Sequence, residues 1–315
     1  MTDFTELVDL ASERLGGAAT AANDEFFAPK ENLVKVSKPV FLEGEYTDRG
    51  KWMDGWETRR RREPGHDWCV VRLGLPGAIR GVNVDTAFFR GNFPESCSID
   101  AAESGDGPWI EILPTSPLRG DAENLFPIEG DRRSTHVKLH IYPDGGVARL
   151  RVYGRVVPDA ERLSRDKEVD LAALENGALV VASSDMFFGA RHNLILPGPP
   201  RGMHDGWETR RRRGPGHDWA IVQLAAPGTI RSIEVDTTWF KGNAPGRCSV
   251  EVLQAGDPTS AAAEWGEILP ETPLRPDAVH RFEEEVRAAS PATHARLNIF
   301  PDGGVARLRL FGFLA

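Results

Sequence analysis

The feature that most constrains the fold of this chain is a tandem duplication that runs through nearly its whole length. The segment from Asp54 to Trp68 recurs as Asp205 to Trp219, with 14 of 15 positions identical and Gly214 in place of Glu63 as the one change. The segment is polar, whereas a repeat kept only for packing preserves apolar periodicity. Both copies are therefore predicted to take part in what the protein does.

The match extends well upstream of this segment, where the two copies differ in length. The offset between equivalent residues is 161 at Val8, which matches Val169, and 151 at Asp54, which matches Asp205. The first copy therefore carries ten additional residues between Leu33 and Asp54.

Downstream, the run from Pro143 to Arg151 is identical to that from Pro301 to Arg309, so the repeat is a whole domain and not a short solenoid unit. A chain of 315 residues is also long enough for two domains at roughly 150 residues each. We expect a first repeat at residues 1–157 and a second at residues 158–315, with the boundary in the charged segment from Val156 to Glu168.

Most apolar segments have the alternation of β-strands. In the stretch from Thr135 to Tyr142, alternate apolar residues share one face and polar residues the other. Trp68 to Leu73, Ile79 to Thr86 and Arg149 to Val156 are also predicted strands, because they are short, β-branched and bounded by turns. Helix signals are confined to Phe4–Leu15 and Glu168–Leu174. Four aromatic residues are predicted to be core and not a ligand platform: Phe26, Phe27, Phe88 and Phe89. The expected fold class is all-β, with one β-sandwich in each half.

Composition excludes several classes of function. A net charge of −9 does not favour a nucleic-acid or anionic-membrane partner, and no stretch approaches the roughly 20 apolar residues of a membrane span. The N-terminus lacks the apolar run of a signal peptide. Three cysteines without paired spacing, Cys69, Cys97 and Cys248, fit a reducing cytoplasm and a buried structural role. No zinc spacing or other metal motif is present, and the cofactor is left open, a divalent metal included.

The repeated polar segment is predicted to be extended chain between two tight turns, Asp-Gly and Pro-Gly. Alternation separates its side chains into two sets, with Trp56, Thr58, Arg60 and Arg62 on one side and Glu57, Arg59 and Arg61 on the other. One arginine pair can then face a pocket, where planar guanidinium groups suit a carboxylate ligand. The alternative is a solvated surface hairpin whose charges neutralise one another.

His66-Asp67 and its equivalent His217-Asp218 are candidate acid/base units, because a carboxylate orients an imidazole and raises its basicity. Adjacent residues on a strand point to opposite faces, so one member of each unit is expected to serve structure.

Other candidates lie at strand ends and on polar strand faces. Asp85 and Asp236 are expected at a rim where ligands bind, with a turn-capping role as the equal alternative. His136 and His294 are site candidates. A metal pair of His136 and His140 is not expected, since residues four apart on a strand are too far apart to chelate one ion.

Taken together, these motifs resemble the allantoicase (allantoate amidinohydrolase) family. The resemblance rests on Asp-Gly-Trp-Glu-Thr-Arg-Arg-x-Arg, on the Gly-His-Asp-Trp that follows, and on Val-Asp-Thr-x-x-Phe-x-Gly-Asn-x-Pro beginning at Val84 and Val235. It covers nearly the full length, with the family's order and duplication. It implies two tandem jelly-roll, galactose-binding-like β-sandwiches and hydrolysis of allantoate to ureidoglycolate and urea in purine (allantoin) catabolism.

The resemblance and the residue chemistry together give two sets of candidates. The catalytic set is Glu57, His66, Asp67, His136, Glu208, His217, Asp218 and His294. The substrate-binding set is Asp54, Arg60, Arg62, Asp85, Asn92, Asp205, Arg211, Arg213, Asp236 and Asn243. In this hypothesis, an arginine binds the substrate carboxylate and acidic side chains accept hydrogen bonds from its ureido groups. His66 or His136 protonates the departing nitrogen, and Glu57 or Asp67 activates water.

Two other functions fit the same residues. One is a carbohydrate- or ligand-binding module without catalysis, since sandwiches of this type often bind sugars. The other is a scaffold whose arginines pair with acidic loops such as Glu283–Glu285 of a neighbouring subunit. We expect a cytoplasmic homo-oligomer that acts on small-molecule allantoate and binds neither nucleic acid nor membrane.

Overall fold

The computed structural model describes residues 3–288 and 290–315, and the chain divides into two compact units, Met1–Val157 and Pro158–Ala315. The regular secondary structure of each unit, within the described residues, consists of β-strands and short 3-10 helices.

The first unit contains twelve strands: β1 (Val8–Asp9), β2 (Ala18–Ala22), β3 (Tyr46–Thr47), β4 (Gly50–Lys51), β5 (Trp56–Glu57), β6 (Asp67–Asp85), β7 (Ser96–Ala102), β8 (Ile110–Pro117), β9 (Glu123–Pro127), β10 (Arg133–Tyr142), β11 (Gly146–Val147) and β12 (Arg149–Val156). Its short 3-10 helices are Phe4–Glu6, Glu13–Leu15 and Lys30–Val34.

The second unit contains ten strands: β13 (Val169–Asp170), β14 (Leu179–Ser183), β15 (Trp207–Glu208), β16 (Asp218–Asp236), β17 (Arg247–Leu253), β18 (Gly266–Pro273), β19 (Val279–Phe282), β20 (Ala292–Phe300), β21 (Gly304–Val305) and β22 (Arg307–Leu314). Its 3-10 helices are Ala160–Arg162, Leu174–Asn176, Arg191–Ile195 and Met203–Asp205.

The two predicted helices are wrong. The stretch from Phe4 to Leu15 forms two single-turn 3-10 helices on either side of β1, and the stretch from Glu168 to Leu174 forms β13 and the start of another 3-10 turn. Pairing overrides local propensity here, because β1 and β13 are edge strands that pair with β12 and β22.

One long strand joins the two layers of each sandwich. The predicted strands from Trp68 to Leu73 and from Ile79 to Thr86 are parts of the single strand β6. The first half of β6 pairs with β2 and β10, and β10 continues through β7 to β8. The second half pairs with β12 and β9. In the second unit β16 occupies the same place between its two layers.

The core lies between these layers. Val71 and Leu139 from one layer pack in the same fully buried cluster as Val82 and Leu150 from the other. The predicted alternation of β10 is confirmed, because Val137, Leu139 and Ile141 have no exposed surface. The all-β prediction of two tandem jelly-roll sandwiches is confirmed.

Candidate active site

A cavity of about 370 Å³ in the first unit brings together Glu57 and Asn92. Glu57 is on β5, which pairs with β11, and the Gly146 N–H donates to the Asn92 carbonyl at 2.8 Å. Gly145 has a φ of 138°, and a Cβ there would lie 2.7 Å from the Asn92 carbonyl oxygen. Glycine at this turn therefore lets the hairpin hold the Asn92 loop beside β5.

The Glu57 carboxylate is held by an amide and is partly shielded from water. Asn92 Nδ2 donates to Glu57 Oε1 at 2.7 Å. Burial raises the pKa of Glu57 above its ordinary value, and the hydrogen bond from Asn92 only partly offsets this. The second unit repeats the pair, since Asn243 Nδ2 donates to Glu208 Oε1 at 2.5 Å. The raised pKa makes Glu57 a better proton acceptor than an ordinary carboxylate.

The rest of this cavity combines cationic and aromatic side chains. Lys51 lies 4.4 Å from the Phe41 ring centroid, and Arg90 Nε donates to Asp121 at 3.0 Å. The terminal nitrogens of Arg90 make no hydrogen bond within the described residues and stay available to an anion. Phe41 stacks on Phe88 at 5.7 Å. The walls are completed by Phe27, Met53 and Gly91.

The core assignment of the four phenylalanines holds for only one of them. Phe89 is fully buried, but Phe27 and Phe88 line the cavity and Phe26 is 36% exposed. The prediction was wrong for these three because they lie in loops at the end of the sandwich, beyond the strands that alternate.

Asp54 lies in the interior and not at a ligand surface. Arg149, whose side chain is 1% exposed, donates from Nη2 to Asp54 Oδ2 at 2.6 Å, and Lys35 donates to Asp54 Oδ1 at 3.2 Å. Burial alone raises the pKa of Asp54, but the Arg149 hydrogen bonds lower it below its ordinary value. Arg307 and Asp205 repeat this pair at 2.8 Å. These positions favour a structural role.

No arginine of the repeated segment in the first unit lines the Glu57 cavity. Arg59 pairs with Asp24 at 2.7 Å, and Arg61 pairs with Asp67 at 2.6 Å. Arg60 and Arg62 are exposed and have no ion pair within the described residues. The corresponding arginines of the second unit, Arg211 and Arg213, are also exposed.

His66 lies in a chain of polar groups on the outer face of the sheet. His66 Nε2 is 2.9 Å from His140 Nδ1, and His140 Nε2 is 3.2 Å from Asp100. Burial lowers the pKa of His140, against the opposing effect of Asp100. In the second unit, the His217 ring bonds to Asn298 at 3.2 Å instead. No side chain of these groups lines the Glu57 cavity.

Asp67, the sequence partner of His66, points to the other face of its strand. It is buried, and Arg61 and Asn23 donate to its Oδ1 atom at 2.6 and 2.8 Å. Asp218 is likewise buried and paired with Arg212. The rule that one member of each His-Asp unit serves structure therefore applies to the aspartate.

The remaining candidates are distributed elsewhere. Asp85 lines a second cavity of about 620 Å³, where its Oδ1 atom accepts the Ala87 N–H at 2.8 Å. Asp236 makes the same bond to Thr238 N–H at 2.7 Å. His136 lies near the opposite end of β10 from Tyr142, with Nδ1 2.8 Å from the Thr135 hydroxyl, and His294 repeats this contact with Thr293 at 2.9 Å. Burial lowers the pKa of His136 and of His294.

Sequence reasoning missed Phe41, Lys51 and Arg90. Phe41 belongs to the ten additional residues of the first copy, and Lys51 ends the β3–β4 hairpin that these residues largely form. The length difference was a visible signal, but only the folded chain shows that it places a cation and an aromatic ring beside Glu57.

Two features are absent from the described residues. No helix of this part of the chain is long and apolar enough to cross a membrane. Within residues 3–288 and 290–315, no three His, Cys, Asp or Glu side chains are grouped so that they could hold a metal ion.

Comparisons with known proteins agree over nearly the whole chain. The family model described as allantoicase repeat matches residues 8–157 and 169–315. A Burkholderia mallei protein named "Probable allantoicase 1" is 50% identical over 99% of this chain and 96% of its own length, and a "Probable allantoicase" of Photobacterium profundum is 48% identical over 99% and 98%. The crystal structure of allantoicase from Saccharomyces cerevisiae superposes with a TM-score of 0.83 and 38% identity, covering 98% of this chain and 93% of that one.

Proposed function

Since the chain belongs to the allantoicase family, we propose that it hydrolyses allantoate to ureidoglycolate and urea, as a step in purine (allantoin) breakdown, and that the reaction takes place in the Glu57 cavity. The observation that carries the site assignment is the half-buried Glu57 carboxylate, held by Asn92 and raised in pKa, in a cavity that also contains two cations.

The cavity matches the chemistry of allantoate, which carries one carboxylate and two ureido groups on a single carbon. Lys51 and the free terminal nitrogens of Arg90 bind the carboxylate. The Glu57 carboxylate accepts a ureido N–H, and the apolar faces of Phe41 and Phe88 pack against the flat ureido groups.

Glu57 is the proposed proton carrier. Hydrolysis breaks the bond from the central carbon to one ureido nitrogen and forms a bond from that carbon to a water oxygen. One proton moves from water to the departing nitrogen, because urea leaves poorly as an anion. Glu57 takes this proton and delivers it, and its raised pKa suits both steps. Asn92 is a positioning residue that fixes the carboxylate by its hydrogen bond.

The positions of the candidate side chains reduce the number of residues that can act as base, general acid or carboxylate binder. Asp67 is engaged by Arg61 and Asn23, which leaves Glu57 as the base of choice. Neither His66 nor His136 lines the cavity, so we assign neither of them the general-acid role. Arg90 and Lys51 line the cavity, so we assign to them the carboxylate-binding role that the sequence hypothesis gave to Arg60 or Arg62.

The test is urea release from allantoate by the Glu57→Gln variant. We expect kcat to fall by about 10²- to 10⁴-fold while the melting temperature stays close to that of the parent. Glu31→Gln, which changes an exposed acid of the same unit, is the matched control and should keep full turnover. Turnover of Glu57→Gln within about twofold of the parent would remove Glu57 from the reaction.

The cellular setting belongs to the same proposal. We propose a cytoplasmic enzyme, which is supported by three free buried cysteines, and a homo-oligomer, for which the exposed arginines Arg60 and Arg62 offer charged surface. A non-catalytic carbohydrate-binding module is the weaker candidate, because the family matched here is named for an enzyme.

A further inference from the structure

The first unit contains a second polar cavity, of about 620 Å³, which shares only the Phe88 wall with the Glu57 cavity. It lies over the outer face of the layer formed by β12, β6 and β9, and the loop that follows the 3-10 helix Lys30–Val34 lines it with Val36, Lys38 and Pro39. Nothing in the proposed reaction uses this cavity.

One side chain in this cavity is buried without a hydrogen-bond partner. Asn83 alternates on β6 with the core residues Val82 and Val84, so its amide points away from the core and into the cavity wall. The residue is 4% exposed, and its Oδ1 atom is buried with no partner. Its Nδ2 atom also makes no hydrogen bond within the described residues. A buried polar atom without a partner is unfavourable, and a bound ligand can supply the missing hydrogen bond.

The second unit shows that the fold does not need these polar groups. Glu234 occupies the place of Asn83 and pairs with Arg281 at 2.9 Å. At three more positions the second copy has an apolar residue where the first has a polar one: Ser12, Glu123 and Tyr153 become Ala173, Val279 and Phe311. In contrast, the pair of Asp9 and Arg151 is kept as Asp170 and Arg309. Four polar groups of the lining, Ser12, Asn83, Glu123 and Tyr153, are therefore specific to the first unit.

We propose that this cavity is a second binding site for a ureide, that is, for a small molecule with a ureido group and a carboxylate. The Asn83 amide offers one donor and one acceptor side by side, which complements the C=O and N–H of a ureido group. Asp85 and Glu123 have no ion pair within the described residues and accept further N–H groups, while Lys38, also unpaired there, binds the ligand carboxylate.

Tyr153 adds a hydroxyl donor to the same wall. Burial raises the pKa of Tyr153 to about 12, so its phenol stays protonated at neutral pH and can donate to a ligand carbonyl.

The two cavities are joined by one ion pair. Asp121 lines the Asn83 cavity and accepts from Arg90, which lines the Glu57 cavity, at 3.0 Å. Asp121 also accepts the Phe88 N–H at 2.8 Å. A ligand beside Asp121 would therefore contact the residues that position Arg90 for the substrate. The choice of a ureide rests on the proposed function, whereas the existence of the site rests on Asn83 and its surroundings.

The experiment is isothermal titration of the full chain with N-carbamoylglycine, which has one ureido group and one carboxylate. Two further titrations use ligands with one group each: N-methylurea has only the ureido group, and glycolate has only the carboxylate. Asn83→Leu is expected to bind one N-carbamoylglycine fewer per chain than the parent and to keep urea release from saturating allantoate within about twofold. Glu234→Leu is the matched control in the second unit and should lose no site.

Tyr153→Phe copies the residue of the second unit and provides a second variant with little risk to folding. Loss of one hydrogen bond should weaken the affinity of this site about fivefold. Unchanged stoichiometry and affinity in both variants would overturn the proposal. It would also be overturned if Asn83→Leu stopped urea release as fully as Glu57→Gln, since the Asn83 cavity would then be the reaction site. If Glu57→Gln retained turnover while Asn83→Leu lost one site, the reaction site would be misassigned and the second ureide site would stand.

Discussion

The two units share their framework and differ in what covers it. Both contain the Glu–Asn pair, at Glu57–Asn92 and Glu208–Asn243, and both bury an Arg–Asp pair beside it. In the first unit, the ten additional residues carry Phe41 and form most of the β3–β4 hairpin, which places Lys51 over this end of the sandwich. The second unit has no counterpart of Phe41, and Gly202 stands in the place of Lys51.

The uncovered aromatic residues of the second unit show the consequence. Phe187 and Phe188 are 64% and 63% exposed. Their counterparts in the first unit are better covered, since Phe26 is 36% exposed and Phe27 is half-buried. Trp239 replaces Phe88 and donates its indole N–H to the Pro200 carbonyl at 3.1 Å. The same carboxylate–amide pair thus lies in a cation-lined cavity in one copy and beside an open aromatic surface in the other. We expect the first copy to carry most of the turnover.

The most direct test of this difference between the units is to substitute Glu57 and Glu208 separately. Glu57→Gln should lower kcat about 10²- to 10⁴-fold, while Glu208→Gln should stay within about twofold of the parent, because only Glu57 has Lys51 and Phe41 beside it. Urea release under saturating allantoate measures both. Equal losses in the two variants would show that the extra hairpin does not decide which copy reacts.

The buried ion pairs should behave alike in both units, because they belong to the shared framework. Each substitution takes the guanidinium away from a buried carboxylate, so Arg149→Met and Arg307→Met should each lower the free energy of unfolding by about 3–5 kcal/mol. Urea or guanidinium denaturation measures this, with Arg80→Met, in an exposed pair with Asp131, as the control near 0–1 kcal/mol. If only one of the two variants lost this much unfolding free energy, the two buried ion pairs would not contribute equally to the stability of their units.

The sequence predicts the shared framework well, because alternation and repetition report directly on burial. The strand β10, its three buried residues and the two-sandwich fold follow from period-two patterning. The same reasoning fails at the edges, where β1 and β13 pair as strands although local signals favour helix.

The candidate site was only partly predictable, since motif residues serve either structure or chemistry and the sequence does not separate these roles. Within the repeated segment, Asp54, Arg59 and Arg61 form ion pairs that hold the fold, and only Glu57 faces the cavity with Asn92. Repetition does not mark Lys51, because the residue in its place in the second copy is Gly202.

Substitution of Lys51 tests how much the β3–β4 hairpin contributes to substrate binding. Lys51→Ala should raise the KM for allantoate about fivefold with little change in kcat, because an exposed charge-assisted contact to the carboxylate contributes about 1 kcal/mol. Lys241→Ala, which removes a cation near Asn243 in the second unit, is the matched control and should leave KM unchanged. A fall in kcat without a rise in KM would place Lys51 in the chemical step and not in binding.

The smallest expected difference concerns the pH response of the two outer sheet faces, where His140 of the first unit stands in the place of Asn298. The folded-state pKa of His140 lies below its ordinary value because of burial, so the unfolded chain takes up the proton first as pH falls. The stabilising contribution is therefore complete above an ordinary histidine pKa of about 6.5 and is lost as pH falls towards the folded value. Asn298 accepts from His217 and donates to Glu251 at 2.8 Å without titrating. His140→Asn, which copies this arrangement, should reduce the loss of unfolding free energy between pH 8 and pH 5 by up to about 1 kcal/mol, and the exposed His204→Asn should not. Identical pH profiles for His140→Asn and the parent would show that the His66–His140–Asp100 chain does not couple protonation to stability.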